Sequence, residues 1–396
     1  MTLLAMPEMR ERPQPASRRD RPTVCQVLHS LNVGGAEMLA ARLARHLADR
    51  FRFVFACLDD LGLLGQELRG EGFAVEVLGR RSGIDLGCVQ RLAAFARRER
   101  AGLLHAHQYT PFFYCRAPGT LIHRPPVLFN EHGRFFPDLP SRKRMVFNRL
   151  FLRRKDRVVA VGESVKQALV ANEGIPARRI DVIYNGVRLD DFAASSDLRR
   201  EVRAELGIAP DAPVAIQVAR LDYLKDHCTA IRAAERISRR LPGFRLVVVG
   251  EGPERAKIEA EIAARKLSDC VLLLGLRTDV RRLLAAADLF LLTSISEGIP
   301  VTLIEAMGAR LPVVSTAVGG IKEVVRPDET GLVAPSGDDA ALAAAVIRLL
   351  NDPGQAASFG DAGRTRAEAI FSQNEMHAQY VRLYESMLGV TQASRS

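Results

Sequence analysis

A chain of 396 residues is too long for one ordinary hydrophobic core, so two domains are the natural reading. Its 47% hydrophobic content, six scattered cysteines without a C-x-x-C pair and lack of any apolar run of ~18–20 residues exclude a disulfide framework, a zinc ribbon and a membrane-spanning helix. The net charge of +10 is uneven: residues 1–190 hold 31 Lys and Arg against 19 Asp and Glu, and the remainder holds 25 against 27.

Residues 1–21 form a polar Pro/Arg-rich tail whose apolar start is too short for a signal peptide, so a cytoplasmic protein is expected. TVCQVLHS is then a short apolar run, broken by NVGG, before AEMLAARLARHLADR takes helical spacing. FRFVFACL, AVEVLG, LLHAH, PPVLFNEHG and DRVVAVG follow as strands, with helices around Leu64–Arg69 and over Cys88–Glu99. After a boundary near residues 185–200 the alternation resumes. PVAIQVAR, FRLVVVGEG, VLLLG, DLFLLTS, PVVST and GLVAPSG are strands, separated by helices over His227–Arg240, Arg255–Lys266, Val280–Ala287 and around Glu305. Short buried-type strands separated by helices predict parallel sheets covered on both faces. The expected division is 22–190, 191–371, a helix over 372–390 crossing back to the first domain, and a tail at 391–396.

Certain residues carry chemistry. In SEGIPVTLIEAM, Glu297 and Glu305 stand eight positions apart around a helix start, with Pro300 suited to the first helical position. The amides of Val301, Thr302 and Leu303 would make an anion site beside two carboxylates, although such a pair also arises as ordinary helix charge. Gly34 and Gly35 lie between strand and helix, where they serve either a tight turn or close approach to a diphosphate. G-x-G-x-x-G is absent, which counts against a dinucleotide dehydrogenase. Arg220 and Lys225 follow a strand end and would neutralise a diphosphate; singly, each reads as a solvated cation. His132, in NEHG, ends another strand, and His105 and His107 share one strand face. With no acidic or cysteine partner at ligand spacing, no metal is expected.

Ser141–Arg157 interleaves Met145, Val146, Phe147, Leu150 and Phe151 with eight Lys and Arg residues. As a helix it fits two readings: an interfacial element on an anionic membrane, or a core-packed helix with solvated cations. No nucleic-acid module and no basic-aromatic stripe is present, so nucleic acid is not an expected partner.

Taken in order, LNVGGAE, NEHG, YNGV, ARLDYLKD, VVVGEGP, LLGLRTDV and SEGIPVTLIEAM resemble the retaining GT-B glycosyltransferases. That family includes phosphatidylinositol mannosyltransferases, sucrose synthases and lipopolysaccharide-core transferases, and the resemblance runs from Val24 to about Leu388. It implies an α/β fold of two tandem doubly wound, Rossmann-like domains facing across a cleft. It also implies a nucleotide-sugar donor, with UDP the expected nucleotide, no cofactor or metal, and a saccharide or lipid-linked saccharide acceptor in cell-surface polysaccharide or glycolipid synthesis.

By the same resemblance, Arg220 and Lys225 hold the diphosphate with the amides of Gly34, Gly35 and the loop Gly298, Ile299, Pro300 and Val301. Glu305 binds ribose, Glu297 faces the donor sugar, His132 contacts that sugar near its anomeric centre, and the backbone at Leu276 and Arg277 reads the base. His107, Gln108 and Tyr109 fall on the acceptor side. Asp226 stands where many relatives have Gly, which bears on loop conformation, and Ile299 where Phe or Leu is common. Because Glu305 is expected at the ribose, a glycosidase-like double displacement has no second carboxylate. Same-face attack, with the leaving phosphate taking the acceptor's proton, fits better. The alternatives are a nucleotide-sugar epimerase of the same architecture and a non-catalytic carbohydrate-binding relative.

Overall fold

The computed structural model describes residues 21–32, 34–117, 125–132, 140–190, 192 and 195–390. The tails at 1–20 and 391–396, and Gly133 of NEHG, lie outside them. Thirteen strands occur among the described residues, in two parallel sheets. The first comprises β1 (Thr23–Leu28), β2 (Arg52–Cys57), β3 (Ala74–Val77), β4 (Ala101–His107), β5 (Val127–Glu131), β6 (Arg157–Ala160) and β7 (Ile180–Val182). Its order is β3-β2-β1-β4-β5-β6-β7. The second comprises β8 (Val214–Val218), β9 (Arg245–Val249), β10 (Val271–Leu273), β11 (Leu289–Leu292), β12 (Val313–Thr316) and β13 (Gly331–Ala334), in the order β10-β9-β8-β11-β12-β13.

The fully buried Val, Leu, Ile and Phe of β1, β2, β8, β9 and β11 explain these strands, since a parallel sheet is covered on both faces. Both sheets reverse direction once, between β1 and β4 and between β8 and β11. In doubly wound sheets ligands bind outside the carboxyl ends of the strands at this switch point. By compactness the chain divides into one unit containing the residues up to Ala106, Thr110–Val127 and Leu388–Val390, and another containing His107–Tyr109 and Leu128–Met387.

All twelve strands read from the sequence are present. The structure adds β7, which lacks an apolar run because Asp181 faces solvent at the sheet edge. Several helices are shorter than their periodicity implies: Gly35–His46, His227–Ser238, Arg255–Ala264 and Val280–Leu284. The largest correction concerns Ser141–Arg157. Its helix covers Arg142–Phe151 alone, stops at an extended Leu152, and Arg157 already belongs to β6. Among the described residues, no helix is long and apolar enough to cross a membrane.

Candidate functional site

The switch point of the second sheet gathers most of the residues singled out from sequence. β8 leads through Ala219 to Arg220, then a single 3-10 turn, Tyr223–Lys225, and the helix His227–Ser238. Asp226 joins the two with φ of 41°, in the left-handed region. This explains why glycine suits the position, and why Asp is accepted: it tolerates that conformation and caps the next helix. Its carboxylate takes the Thr229 amide at 3.2 Å.

The loop after β11 is fastened to this turn. Thr293 Oγ1 donates toward the carbonyls of Lys225 (3.0 Å) and Asp226 (2.9 Å), and the Ile295 amide donates to Leu224 at 2.8 Å. Gln217, buried in β8, donates to Thr293 Oγ1 at 3.2 Å. Against this frame Lys225 Nζ lies 2.6 Å from Glu297 Oε1, and Ser294 Oγ donates to the same oxygen at 2.6 Å. The Glu297 side chain is 8% exposed, so its charge is compensated by these donors rather than by bulk water. Arg220 differs: its side chain is 68% exposed, with Nε 3.9 Å from Asp222. Its carbonyl accepts from His227 Nε2 at 3.1 Å, and burial pushes the His227 pKa down.

Glu297 precedes Gly298, Ile299 and Pro300, and the helix runs Val301–Gly308. Pro300 is therefore the residue flanking the helix rather than its first helical position. The Leu303 amide also corrects the sequence reading, because it donates to the Pro300 carbonyl at 3.1 Å. Val301 and Thr302 supply the first amides of the helix, which have no intrahelical acceptor. Glu305, half-buried, lies in the second turn. Gly319 and Gly320 pack directly on the loop: a Cβ at either would come within 2.0 Å of the Glu297 or Gly298 carbonyl oxygen. Gly319, at φ of 47°, is also left-handed.

Leu276 is exposed, whereas the Arg277 guanidinium is engaged by Asp279 at 2.7 Å and Glu205 at 3.1 Å. The arginine fork is thus committed to carboxylates of its own chain.

At the end of β5, His132 Nε2 lies 2.9 Å from Asn130 Nδ2 and 3.0 Å from His107 Nδ1, with the two imidazoles stacked at 5.2 Å. Burial pushes the His132 pKa down to about 4, so the ring is neutral at neutral pH. His105 is fully buried within β4 and lines no open surface. Gln108 takes φ of 71° and donates its amide to the Asn130 carbonyl at 2.8 Å. Tyr109 sits beneath the Arg144 guanidinium (4.6 Å) and beside Phe129 and Phe147. That environment makes it a packing residue for the Arg142–Phe151 helix.

In the other unit, Gly34 precedes the helix Gly35–His46 in an extended conformation. A Cβ on Gly35 would meet nothing within 4 Å, so packing does not require glycine there. Asn130, Thr293, Ser294 and Gln217 were not found from sequence. For Asn130 and Gln217 the available signal was a polar residue inside an otherwise apolar strand, and for Thr293 and Ser294 the polar residues directly after β11. Among the described residues, no group of three or more His, Cys, Asp or Glu is arranged to hold a metal ion.

Residues 199–366 match the family model described as Glycosyl transferases group 1, and residues 33–191 match Glycosyltransferase Family 4. The chain belongs to the glycosyltransferases that these two models describe. This glycosyltransferase is 26% identical to the N-acetyl-alpha-D-glucosaminyl L-malate synthase of Bacillus anthracis, over 90% of this chain and 95% of that protein. It is 33% identical to the amylovoran biosynthesis glycosyltransferase AmsK of Erwinia amylovora, covering 54% of this chain and about half (52%) of that one. Among solved structures, Anabaena HepE in complex with UDP superposes with a TM-score of 0.82 at 23% identity, covering 92% of this chain and 100% of HepE.

Proposed function

We propose that this glycosyltransferase moves a sugar from a nucleoside diphosphate sugar, with UDP as the nucleotide, to a hydroxyl of a saccharide or lipid-linked saccharide. The reading places it in polysaccharide or glycoconjugate synthesis. The observation that carries it is the convergence of Lys225, Glu297 and Ser294 at the β8/β11 switch point, beside the amino end of the Val301–Gly308 helix. HepE was crystallised with UDP and with UDP-glucose, and the relatives AmsK and Escherichia coli WcaL are named for amylovoran and colanic acid biosynthesis. These support the donor and the pathway class.

On this reading the diphosphate meets Arg220, Lys225 and the helix amides, all fixed before negative charge builds on the departing phosphate. Lys225 serves both partners: as phosphate oxygens approach its ammonium, Glu297 becomes available to donor-sugar hydroxyls. Glu305, one turn further in, takes the ribose hydroxyls. His132 is neutral and contacts the sugar near the anomeric carbon. The acceptor oxygen attacks C1 on the face from which the phosphate departs. The C1–O electron pair stays with the diphosphate, which takes the acceptor's proton, and configuration is retained.

The same reading includes docking on an anionic membrane through the Arg142–Phe151 helix. Val146 and Leu150 there are 58% and 69% exposed, among the exposed cations Arg142, Lys143 and Arg149. The decisive experiment measures nucleoside diphosphate release from UDP-sugars, with and without saccharide and lipid-linked acceptors, and the anomeric configuration of the product. Release that no acceptor stimulates, together with interconversion of donor epimers, would favour an epimerase; no release at all would favour a binding protein.

A further inference from the structure

The carboxyl ends of β1, β2 and β3 carry a second polar constellation. His29 follows β1 directly, Asp59 lies two residues beyond β2, and Arg80 three beyond β3. The strands are neighbours in the order β3-β2-β1, so the three side chains form a row along the sheet edge. Arg80 grips Asp59 with a fork, Nε to Oδ1 at 2.7 Å and Nη2 to Oδ2 at 3.0 Å. The Arg80 hydrogen bonds hold the Asp59 carboxyl below the usual range, so it is an anion that only accepts. His29 Nδ1 lies 3.1 Å from Asp59 Oδ2 and must therefore donate. In the neutral ring this puts the lone pair on Nε2, on a side chain 32% exposed.

The row is rigid. The Asp59 amide donates to the His29 carbonyl at 2.8 Å, and Asn32 Nδ2 donates to both Ser30 Oγ and Asp60 Oδ1 at 3.1 Å, tying the same two loops. Gly62 presses on that junction: at φ of 65°, its Cβ would lie 2.4 Å from the Asn32 amide nitrogen. An imidazole oriented by a carboxylate, itself fixed by a cation, exceeds what a surface salt bridge needs. It is how a hydrogen-bonding atom is kept aimed at a ligand. The charge also selects. Arg80 is neutralised by Asp59, while Asp60 and Glu37 add carboxylates nearby, so the cluster offers little to a phosphate or carboxylate.

We infer that His29 Nε2, set by Asp59 and Arg80, accepts a hydrogen bond from a hydroxyl of an uncharged sugar or polyol. It thereby fixes how the acceptor is presented. The inference rests on the glycosyltransferase reading for its biological sense, but its ligand chemistry is testable without a donor. Asp59 and Arg80 are positioning residues.

In full-length protein carrying 15N-labelled histidine, titration with myo-inositol and D-glucose should shift the His29 Nε2 resonance saturably. Glucose 6-phosphate and L-malate should shift it less. Asp59→Asn should weaken the response by releasing Arg80 and the Nδ1 partner. In turnover, the ratio of sugar transfer to donor hydrolysis should fall about tenfold in His29→Phe, the scale of one lost hydrogen bond. It should recover in part in His29→Gln, whose amide oxygen reaches the Nε2 position. An unmoved His29 resonance at saturating polyol, a larger shift with the anions, or an unchanged partition ratio in His29→Phe would each overturn the assignment. Failure of wild-type protein to release nucleoside diphosphate would instead count against the donor reading, while the resonance shift would still report on His29.

Discussion

Lys225 and Glu297 are read most sharply as a pair. Removing Lys225 leaves a carboxylate that is 8% exposed facing only a hydroxyl, so Lys225→Ala should both slow turnover and destabilise the fold. Turnover should fall by ~10²-fold, the scale of losing one fixed charge at a leaving group. Stability should fall by about 1–3 kcal/mol, below the fully buried case because Lys225 is partly solvated. Adding Glu297→Gln should restore melting temperature without restoring turnover; a double variant as unstable as Lys225→Ala would show that the pair is not the source. Arg220→Ala should lose turnover alone, since its exposed side chain supports nothing else nearby. The two glutamates should separate by calorimetry with nucleoside diphosphate. Glu305→Gln should weaken its binding, and Glu297→Gln should impair use of the sugar donor. Equal loss in both would end the division of roles. Sequence disclosed Lys225 and Glu297 as members of one site through their motifs, but not their 2.6 Å contact. That contact depends on Thr293 and Ile295 fastening two loops together, and nothing local encodes it.

Elements differ in how plainly their packing is written in the chain. β-strands built from Val, Ile, Leu and Phe were legible because burial on both faces demands continuous apolar runs. The Pro353–Ile370 helix was not, because it packs through small residues. Gly360 lies so close to the Arg310 carbonyl that a Cβ would come within 2.1 Å, and Gly363 faces Met307. Such contacts leave no apolar stripe to read.

The Arg142–Phe151 helix shows the reverse case, an amphipathic pattern whose outward face only the structure reveals. Phe147 and Phe151 stack on each other at 4.8 Å and Phe147 meets Tyr109, so they anchor the helix rather than project from it. Arg144 binds buried Glu173 at 3.1 Å and is structural. The exposed apolar residues are Met145, Val146 and Leu150. Replacing Arg142, Lys143, Arg149, Arg153 and Arg154 by Gln should therefore abolish salt-sensitive binding to anionic vesicles and preserve melting temperature. Arg144→Gln should instead lower melting temperature. Cations near an anionic surface contribute roughly 1 kcal/mol each, so losing five suffices. Wild-type protein that floats free of anionic vesicles at low salt would remove the membrane from the proposal.

At the scale of the whole molecule, fixed cations and helix amides in place of carboxylate clusters lead to an expectation about metals. Transfer should persist in excess chelator; loss with EDTA, reversed by magnesium or manganese, would mean that the diphosphate site had been misassigned. Acid stability follows from the buried imidazoles. His132 is pushed down to about 4 by burial, and His227 is lowered for the same reason, whereas an unfolded histidine titrates near 6.5. Between those values the unfolded chain binds the proton that the folded chain refuses, so stability is complete above about pH 6.5 and declines as pH falls toward 4. Each such histidine contributes a slope of at most about 1.4 kcal/mol per pH unit. Carboxylates held low by arginines, such as Asp59 and Asp279, act in the same direction but at lower pH. His132→Phe should flatten the dependence between pH 6.5 and 4 measured by urea unfolding, and should leave the steeper fall below pH 4 in place. An unchanged slope in that window would mean that the His132 ring accepts a proton in the folded protein. The neutral imidazole assigned to the donor sugar would then have to be withdrawn.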